Sequence, residues 1–364
     1  MNARPQMGRK NTKVEAWRNF PRRQRGAAKT APPGEDAPVA ATQPICAAID
    51  LGTNNCRLLI AEPLAEGFRV IDAFSRIVRL GEGLQNTQRL SDAAIYRTLT
   101  ALRICGAKIR RRGATRVRAV ATEACRRAVN CDDFVAAALH DTGIRLEIIS
   151  SMEEGRLALA GCSPLLDPAT PYAIVFDIGG GSTELMWMAM GEDGPTLLDQ
   201  ASVRCGVIDL AERYGGDRVS PALYRVMVDE VAGELSVFER RNSIAERVKA
   251  GEVQMLGTSG TVTTLAGVHM GLGRYDRRMV DGSHLRMTDA LAVISHLTRL
   301  DFAGRAANPC IGEERADLVV AGCAVFQAIG ETWPVRGLRI ADRGLREGIL
   351  VDLIAGRRSG ASAT

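Results

Sequence analysis

The sequence predicts an α/β protein made of two similar halves flanking a cleft, and three observations carry that prediction. A strand-turn-strand unit occurs twice, as "AAIDLGTNNCRLLI" and as "AIVFDIGGGSTELMWM". After each unit, segments with helical spacing of apolar residues alternate with short apolar strands, the pattern of an α/β domain. The chain has 364 residues, enough to bury two cores of ordinary size.

The duplicated units agree in detail. Asp50, Gly52 and Leu58 stand where Asp177, Gly179 and Leu185 stand, at one constant offset. Such a repeat implies two related domains facing each other. Three consecutive glycines weaken both helix and strand, so the turn at Gly179, Gly180 and Gly181 must need bare backbone. A bare turn can aim successive N–H groups into one concavity and hold phosphate oxygens. An ordinary glycine-rich hairpin is the plainer reading of the same residues.

The elements follow in order. After the first hairpin, "FRVIDAFSRIVRLGEGL" supplies a strand and a turn. "SDAAIYRTLTALRICGAKIRR" is an amphipathic helix with Ser91 as its N-cap. Strand "VRAVAT", helix "DDFVAAALHDT", strand "RLEIIS" and a helix opening at "SMEEGRLALAGC" complete the first half. Pro164, Pro168 and Pro171 mark a boundary, giving domains at 45–168 and 169–356. The second half supplies its own hairpin, helix "SPALYRVMVDEVAGELSVFER", strand "VQMLGT", helix "TVTTLAGV" and helices near 288–299 and 316–330.

Composition excludes several classes. Nine cysteines without a C-x-x-C pair or Cys/His cluster argue for reduced, buried thiols and a cytoplasmic protein, against a disulfide framework or zinc site. The longest apolar stretch, "LVVAGCAVFQAIG", is too short to span a bilayer, so no membrane partner is expected. Residues 1–44 are rich in Arg, Lys, Pro, Gln and Ala without apolar periodicity, and read as a disordered basic tail carrying most of the formal +5 charge. A second short tail is expected at 357–364. The run "KIRRRGATRVR" would attract a polyanion, or is a solvated helix end followed by an edge strand. Few aromatics accompany it, so nucleic acid is not an expected partner. A homodimer is the oligomer the sequence allows.

Six segments in order, "ATEACRRAVN", "EIISSMEEGRLALAG", "DIGGGSTEL", "GTSGTVTTLA", "RADLVVAG" and "ADRGLREGIL", resemble the exopolyphosphatase and guanosine pentaphosphate phosphatase (Ppx/GppA) family. The resemblance runs over about 45–354 and places the chain in the sugar kinase, actin and Hsp70 superfamily. It implies two ribonuclease-H-like domains of the actin-like ATPase kind. It also implies a short form without the C-terminal helical extension of longer members, with a last helix near 345–353 packed on the first domain.

The expected chemistry is hydrolysis of the terminal phosphoanhydride of inorganic polyphosphate, with guanosine pentaphosphate (pppGpp) as the alternative substrate. Backbone N–H groups of Gly179, Gly180 and Gly181, with Thr53, Asn54, Asn55, Ser182 and Thr183, can hold phosphate oxygens without a P-loop lysine, and no P-loop motif occurs. Gly257, Thr258, Ser259 and Gly260 are read against the distal part of the substrate, or as a strand-to-helix turn. Mg2+ suits the charge to be neutralised. By resemblance its ligands are Asp177 and Glu184, with Asp50 as the repeat counterpart.

The resemblance assigns the catalytic base to Glu154 and a substrate-phosphate contact to Arg126. Locally, Ser150 with Glu153 and Ser151 with Glu154 both have capping-box spacing. Only one pair can close the box, which leaves the other glutamate free for a water. Glu123 is expected to form a salt bridge to a nearby arginine. Two more remote readings are a small-molecule kinase of the same superfamily, which needs an acceptor pocket, and a nucleotide-responsive scaffold with little turnover. Long polyphosphate is the expected preference, on the strength of the basic run.

Overall fold

The computed structural model describes residues 44–192 and 194–356. The two expected tails, 1–44 apart from Pro44 and 357–364, lie outside the described residues.

Strand β1 (Cys46–Leu51) is buried at every position because it is the central strand of its sheet. It turns into β2 (Asn55–Pro63) and then β3 (Phe68–Ile77), an antiparallel meander in which Asp50 lies opposite Arg57. A single turn, α1 (Leu84–Thr87), precedes α2 (Asp92–Arg112). Helix α2 starts on Ser91, whose hydroxyl accepts from the Ala94 N–H, and stops at Gly113, which takes the left-handed conformation that ends helices.

Next, β4 (Arg116–Ala121) pairs parallel with β1, α3 (Glu123–Arg127) and α4 (Cys131–Thr142) follow, and β5 (Leu146–Ile148) pairs parallel with β4. The sheet order is β3-β2-β1-β4-β5. Ile49, Leu58, Leu102 and Phe134 belong to the core between this sheet and α2 and α4. Helix α5 (Ser151–Cys162) leaves the end of β5.

The same plan recurs. Strands β6 (Tyr172–Ile178), β7 (Thr183–Gly191) and β8 (Gly194–Val203) form a meander with Asp177 opposite Glu184. Helices α6 (Val207–Tyr214), α7 (Pro221–Asn242) and α8 (Ile244–Lys249) lead to β9 (Val253–Thr258), parallel with β6. Then come α9 (Ser259–His269), α10 (Arg277–Val280), β10 (His284–Arg286), α11 (Met287–Arg299) and α12 (Phe302–Ala306). Helix α13 (Val319–Thr332) is followed by β11 (Gly337–Ala341), parallel with β9. This sheet reads β10-β11-β9-β6-β7-β8, the first sheet's order with β10 added at the edge. The fold is therefore α/β with two mixed sheets. In the second core Phe176 meets Phe326 edge to face at 6.1 Å.

The last helix, α14 (Leu345–Ile354), packs on β1, β2 and α5. A Cβ on Gly348 would lie 1.9 Å from the Leu157 carbonyl oxygen, and one on Gly161 would lie 2.1 Å from that of Gly344. Two helix backbones thus touch, and α5 is clamped by its neighbour. All nine cysteines are free and buried. Among the described residues no helix is long and apolar enough to cross a membrane.

Candidate active site

Both glycine turns open onto one cleft of about 610 Å³. The turns are built alike: Gly52 N–H donates to the Asn55 carbonyl and Gly179 N–H to the Ser182 carbonyl, each at 2.9 Å. They also touch. A Cβ on Gly180 would lie 3.0 Å from Thr53 Cβ, and one on Gly181 would lie 3.0 Å from Thr53 Oγ1. Bare backbone is needed there because the opposite turn occupies the space a side chain would take.

Glu154 reaches the cleft from the first turn of α5. The helix is capped by Ser150, whose hydroxyl accepts from Glu153 N–H at 3.2 Å, while the Glu153 carboxylate pairs with Arg118 and Arg156. Glu154 is left over from the cap, one position on. Its only hydrogen-bond donor among the described residues is Arg126 Nη1, 2.8 Å from Oε2. Burial, then repulsion from Glu184, pushes the Glu154 carboxyl well above the usual range, with Arg126 opposing.

Three more carboxylates stand close by. Burial pushes Asp177 up to about 6, with Asp50 adding to the shift while Arg57 and the Ser259 hydroxyl oppose it. Burial also raises Asp50, against the attraction of Arg57, whose Nη1 lies 3.9 Å from Asp50 Oδ2. Glu184 is pushed up to about 7 by burial and by Asp177. Ser259 holds a left-handed backbone (φ 80), an uncommon conformation for a residue with a side chain.

Of the residues singled out in the sequence, Asp50, Thr53, Asn54, Asn55, Glu154, Asp177, Gly179, Gly180, Gly181, Ser182, Thr258, Ser259 and Gly260 line the cleft. Four do not. Thr183 is fully buried, and its hydroxyl donates to the Cys205 carbonyl at 2.8 Å, because strand alternation turns it away from the turn. Gly257 sits against the Phe176 ring, where a Cβ would come within 2.6 Å, so its bareness serves the core. Glu184 lies behind the wall with Ser182 and Ser202 donating to its Oε1 at 2.7 and 2.9 Å. Arg126 is also off the wall, engaged by Glu123 and Glu154.

The basic run takes no part in the cleft lining either. Lys108, Arg111 and Arg112 converge on Asp72 of β3 at 2.7, 3.3 and 2.9 Å, and Arg118 pairs with Glu147 and Glu153. The cleft's cations come from elsewhere. Arg57, Arg315 and Arg346 line it, and Arg315 and Arg346 make no side-chain hydrogen bond or ion pair with any described residue. Burial, with the neighbouring Arg57, pulls both guanidinium pKa values below their usual range, while Glu347 and Asp50 oppose the shift at Arg346 and Glu314 and Asp342 oppose it at Arg315. Each had a signal in the sequence. Arg57 lies in the first duplicated unit, opposite Asp50, and Arg315 and Arg346 fall within segments already singled out, Arg315 just before α13 and Arg346 in the first turn of α14.

Among the described residues no group of three or more His, Cys, Asp or Glu side chains is arranged to hold a metal ion. Asp50 and Asp177 nevertheless share the cleft wall with Asn54 and Asn55, whose side-chain oxygens are buried without hydrogen-bond partners. That donor set fits a hard cation that takes one or two carboxylates and completes its shell with substrate oxygens and water.

Comparison with known proteins shows the family of the chain. Residues 59–356 match the family model described as the Ppx/GppA phosphatase family. The chain is 32% identical over 313 residues to guanosine-5'-triphosphate,3'-diphosphate pyrophosphatase of Aeromonas hydrophila, a match covering 85% of this chain but only 60% of that relative's length. It is 32% identical over 322 residues to exopolyphosphatase 2 of Mycobacterium tuberculosis, covering 84% of this chain and 98% of the relative. The crystal structure of the Aquifex aeolicus Ppx/GppA family member superposes with a TM-score of 0.70 at 26% identity, over 87% of this chain and 99% of that one. With its two glycine turns closing on one another beside a half-buried glutamate, the chain belongs to the Ppx/GppA phosphatase family.

Proposed function

We propose that this cleft hydrolyses the terminal phosphoanhydride of inorganic polyphosphate and releases orthophosphate. The observation that carries the reading is the meeting, in one cleft, of a half-buried glutamate left over from its helix cap, two bare turns and two guanidinium groups that form no ion pair with any described residue. A relative of almost the same span bears the name exopolyphosphatase, which supports the substrate class. In the proposed step Glu154 takes a proton from water as the water oxygen bonds to the terminal phosphorus. The bridging P–O bond breaks, and its electron pair leaves with the shortened chain. N–H groups at 179–182 and the Arg57, Arg315 and Arg346 guanidiniums hold the phosphate oxygens. Asp177 and Asp50 would hold Mg2+, which when bound neutralises charge on the phosphate oxygens. The buried free thiols suit a reducing cytoplasm.

A second reading, hydrolysis of pppGpp, is favoured by Tyr275, the one aromatic among the residues lining the cleft; its hydroxyl donates to Asp342 at 2.6 Å. A ring so placed can stack on a base. Phosphate release from long polyphosphate and from pppGpp, assayed side by side at about 0.15 M salt to limit nonspecific attraction, tests the order. A higher kcat/KM for polyphosphate is expected, and the reverse order replaces the first reading with the second. Glu154→Gln should lower kcat by roughly 10² to 10⁴ on either substrate. A Glu154→Gln enzyme with wild-type kcat refutes the base.

A further inference from the structure

We infer that Glu123 is a positioning residue that anchors Arg126 on Glu154 and keeps that guanidinium from turning to the substrate. The inference rests on the reading of Glu154 as the base. Arg126 Nε and Nη2 both donate to Glu123 Oε2, at 3.1 and 2.8 Å. Its Nη1 donates to Glu154 Oε2 at 2.8 Å and to the Ile149 carbonyl at 2.9 Å. One edge of the guanidinium plane is therefore set by Glu123 and the other by Glu154 and the strand end.

Glu123 is itself fixed. It is 9% exposed, and a Cβ on Gly181 would come within 3.1 Å of its Cγ, so the second glycine turn packs on its stem. That contact ties the position of Arg126 to the phosphate-holding turn. Glu184 and Asp177 also act on Glu154, both negative, and Arg126 is the one cation bonded to it among the described residues. A guanidinium released on its Nε edge would find a better partner in a phosphate, which it can bind in bidentate fashion. Arg126 would then leave the base for the substrate. Glu123, which itself lines the cleft, prevents this by holding the Nε edge of Arg126.

A swap of partners has a kinetic signature. The base loses its alignment, so kcat falls, while the substrate gains a cation, so KM stays level or falls with it. Steady-state hydrolysis of long polyphosphate and of pppGpp by Glu123→Gln, Glu123→Asp, Arg126→Gln and the Glu123→Gln/Arg126→Gln double variant tests the inference. Glu123→Gln should lose about tenfold in kcat without a rise in KM, a size usual for coupled neighbours. Glu123→Asp, which keeps the charge, should lose less. In the Arg126→Gln background the Glu123 change should cost no further kcat.

An equal loss in both backgrounds overturns the inference, as does unchanged kcat in Glu123→Gln. A raised KM at constant kcat also overturns it, and makes Glu123 a substrate contact. Thermal melts separate misfolding from these outcomes, and Glu123→Asp carries the test if Glu123→Gln does not fold. Glu154→Gln is measured alongside. If it keeps wild-type kcat, the base reading fails whatever Glu123 does. If it is inactive while Glu123→Gln is wild-type, only the present inference fails.

Discussion

The two hairpins that open the sheets share a backbone and differ in charge. Turn hydrogen bonds, register and strand order correspond, yet the residue directly opposite the aspartate is Arg57 in the first and Glu184 in the second. In the first hairpin a carboxylate and a guanidinium partly offset one another. In the second, two carboxylates face each other in a buried site, a destabilising pairing on a sheet. Their ionisation is displaced to about 6 for Asp177 and about 7 for Glu184. One copy of the repeat is thus suited to receive an anion, and the other keeps an excess of negative charge that a proton or a metal cation would relieve. The proposed hydrolysis of a polyanion would use both.

The largest test makes the two hairpins alike. Arg57→Glu should raise KM for long polyphosphate by about 100-fold, the scale of a lost charge-assisted contact, while Arg57→Lys should keep most of the affinity. An unchanged KM in Arg57→Glu would break the comparison, since the first hairpin would then play no part in anion binding.

A smaller effect is expected on stability. Asp177 in the folded protein titrates near 6 against about 3.9 in an unfolded chain. Between those values the native state holds a proton that the unfolded chain has lost, so this group's contribution to stability declines as pH rises from about 4 to 6. Asp177→Asn removes the liability. In EDTA at neutral pH its Tm should exceed wild type by a few degrees, roughly 2–6 °C. Activity should fall and be partly restored by extra Mg2+. A Tm at or below wild type would show that the like-charged pair is already relieved by the protein.

The smallest effect sharpens the comparison by exclusion. Neutralising Arg110, Arg111 and Arg112 should leave KM for polyphosphate within about twofold at 0.15 M salt, because two of the three are spent on Asp72. A marked rise in KM would restore the basic run as a substrate track.

Much of this site was readable from residue spacing. The duplicated turns and the aspartates follow from offsets, which are local; capping spacing left Glu153 and Glu154 open, and the resemblance chose Glu154. The misreadings share a different cause. Thr183 adjoins the glycines, but a period of two sends it inward. Gly257 resembles a turn glycine, but its neighbour is a core phenylalanine from another strand. The resemblance gave Arg126 a substrate contact, whereas its guanidinium is taken by Glu123 three positions away and by Glu154 28 positions away; the basic run was read as a substrate track because its partner Asp72, about 40 positions away, cannot be seen in sequence.

By itself the sequence determined the elements with strong periodicity and their repetition. It also determined the glycine turns and the reduced, buried state of the cysteines. These depend on local propensity and on which side chains avoid water. Only the tertiary structure decided that the short β10 and β11 exist, since β11 has little besides its pairing with β9 and β10 to hold it. It also decided which arginines are neutralised and which stand bare in the cleft. Charge acts over distance, and a guanidinium's role is settled by the carboxylates that folding brings within reach: Asp72 for Arg111 and Arg112, Glu123 and Glu154 for Arg126. Among the described residues none pairs with Arg315 or Arg346.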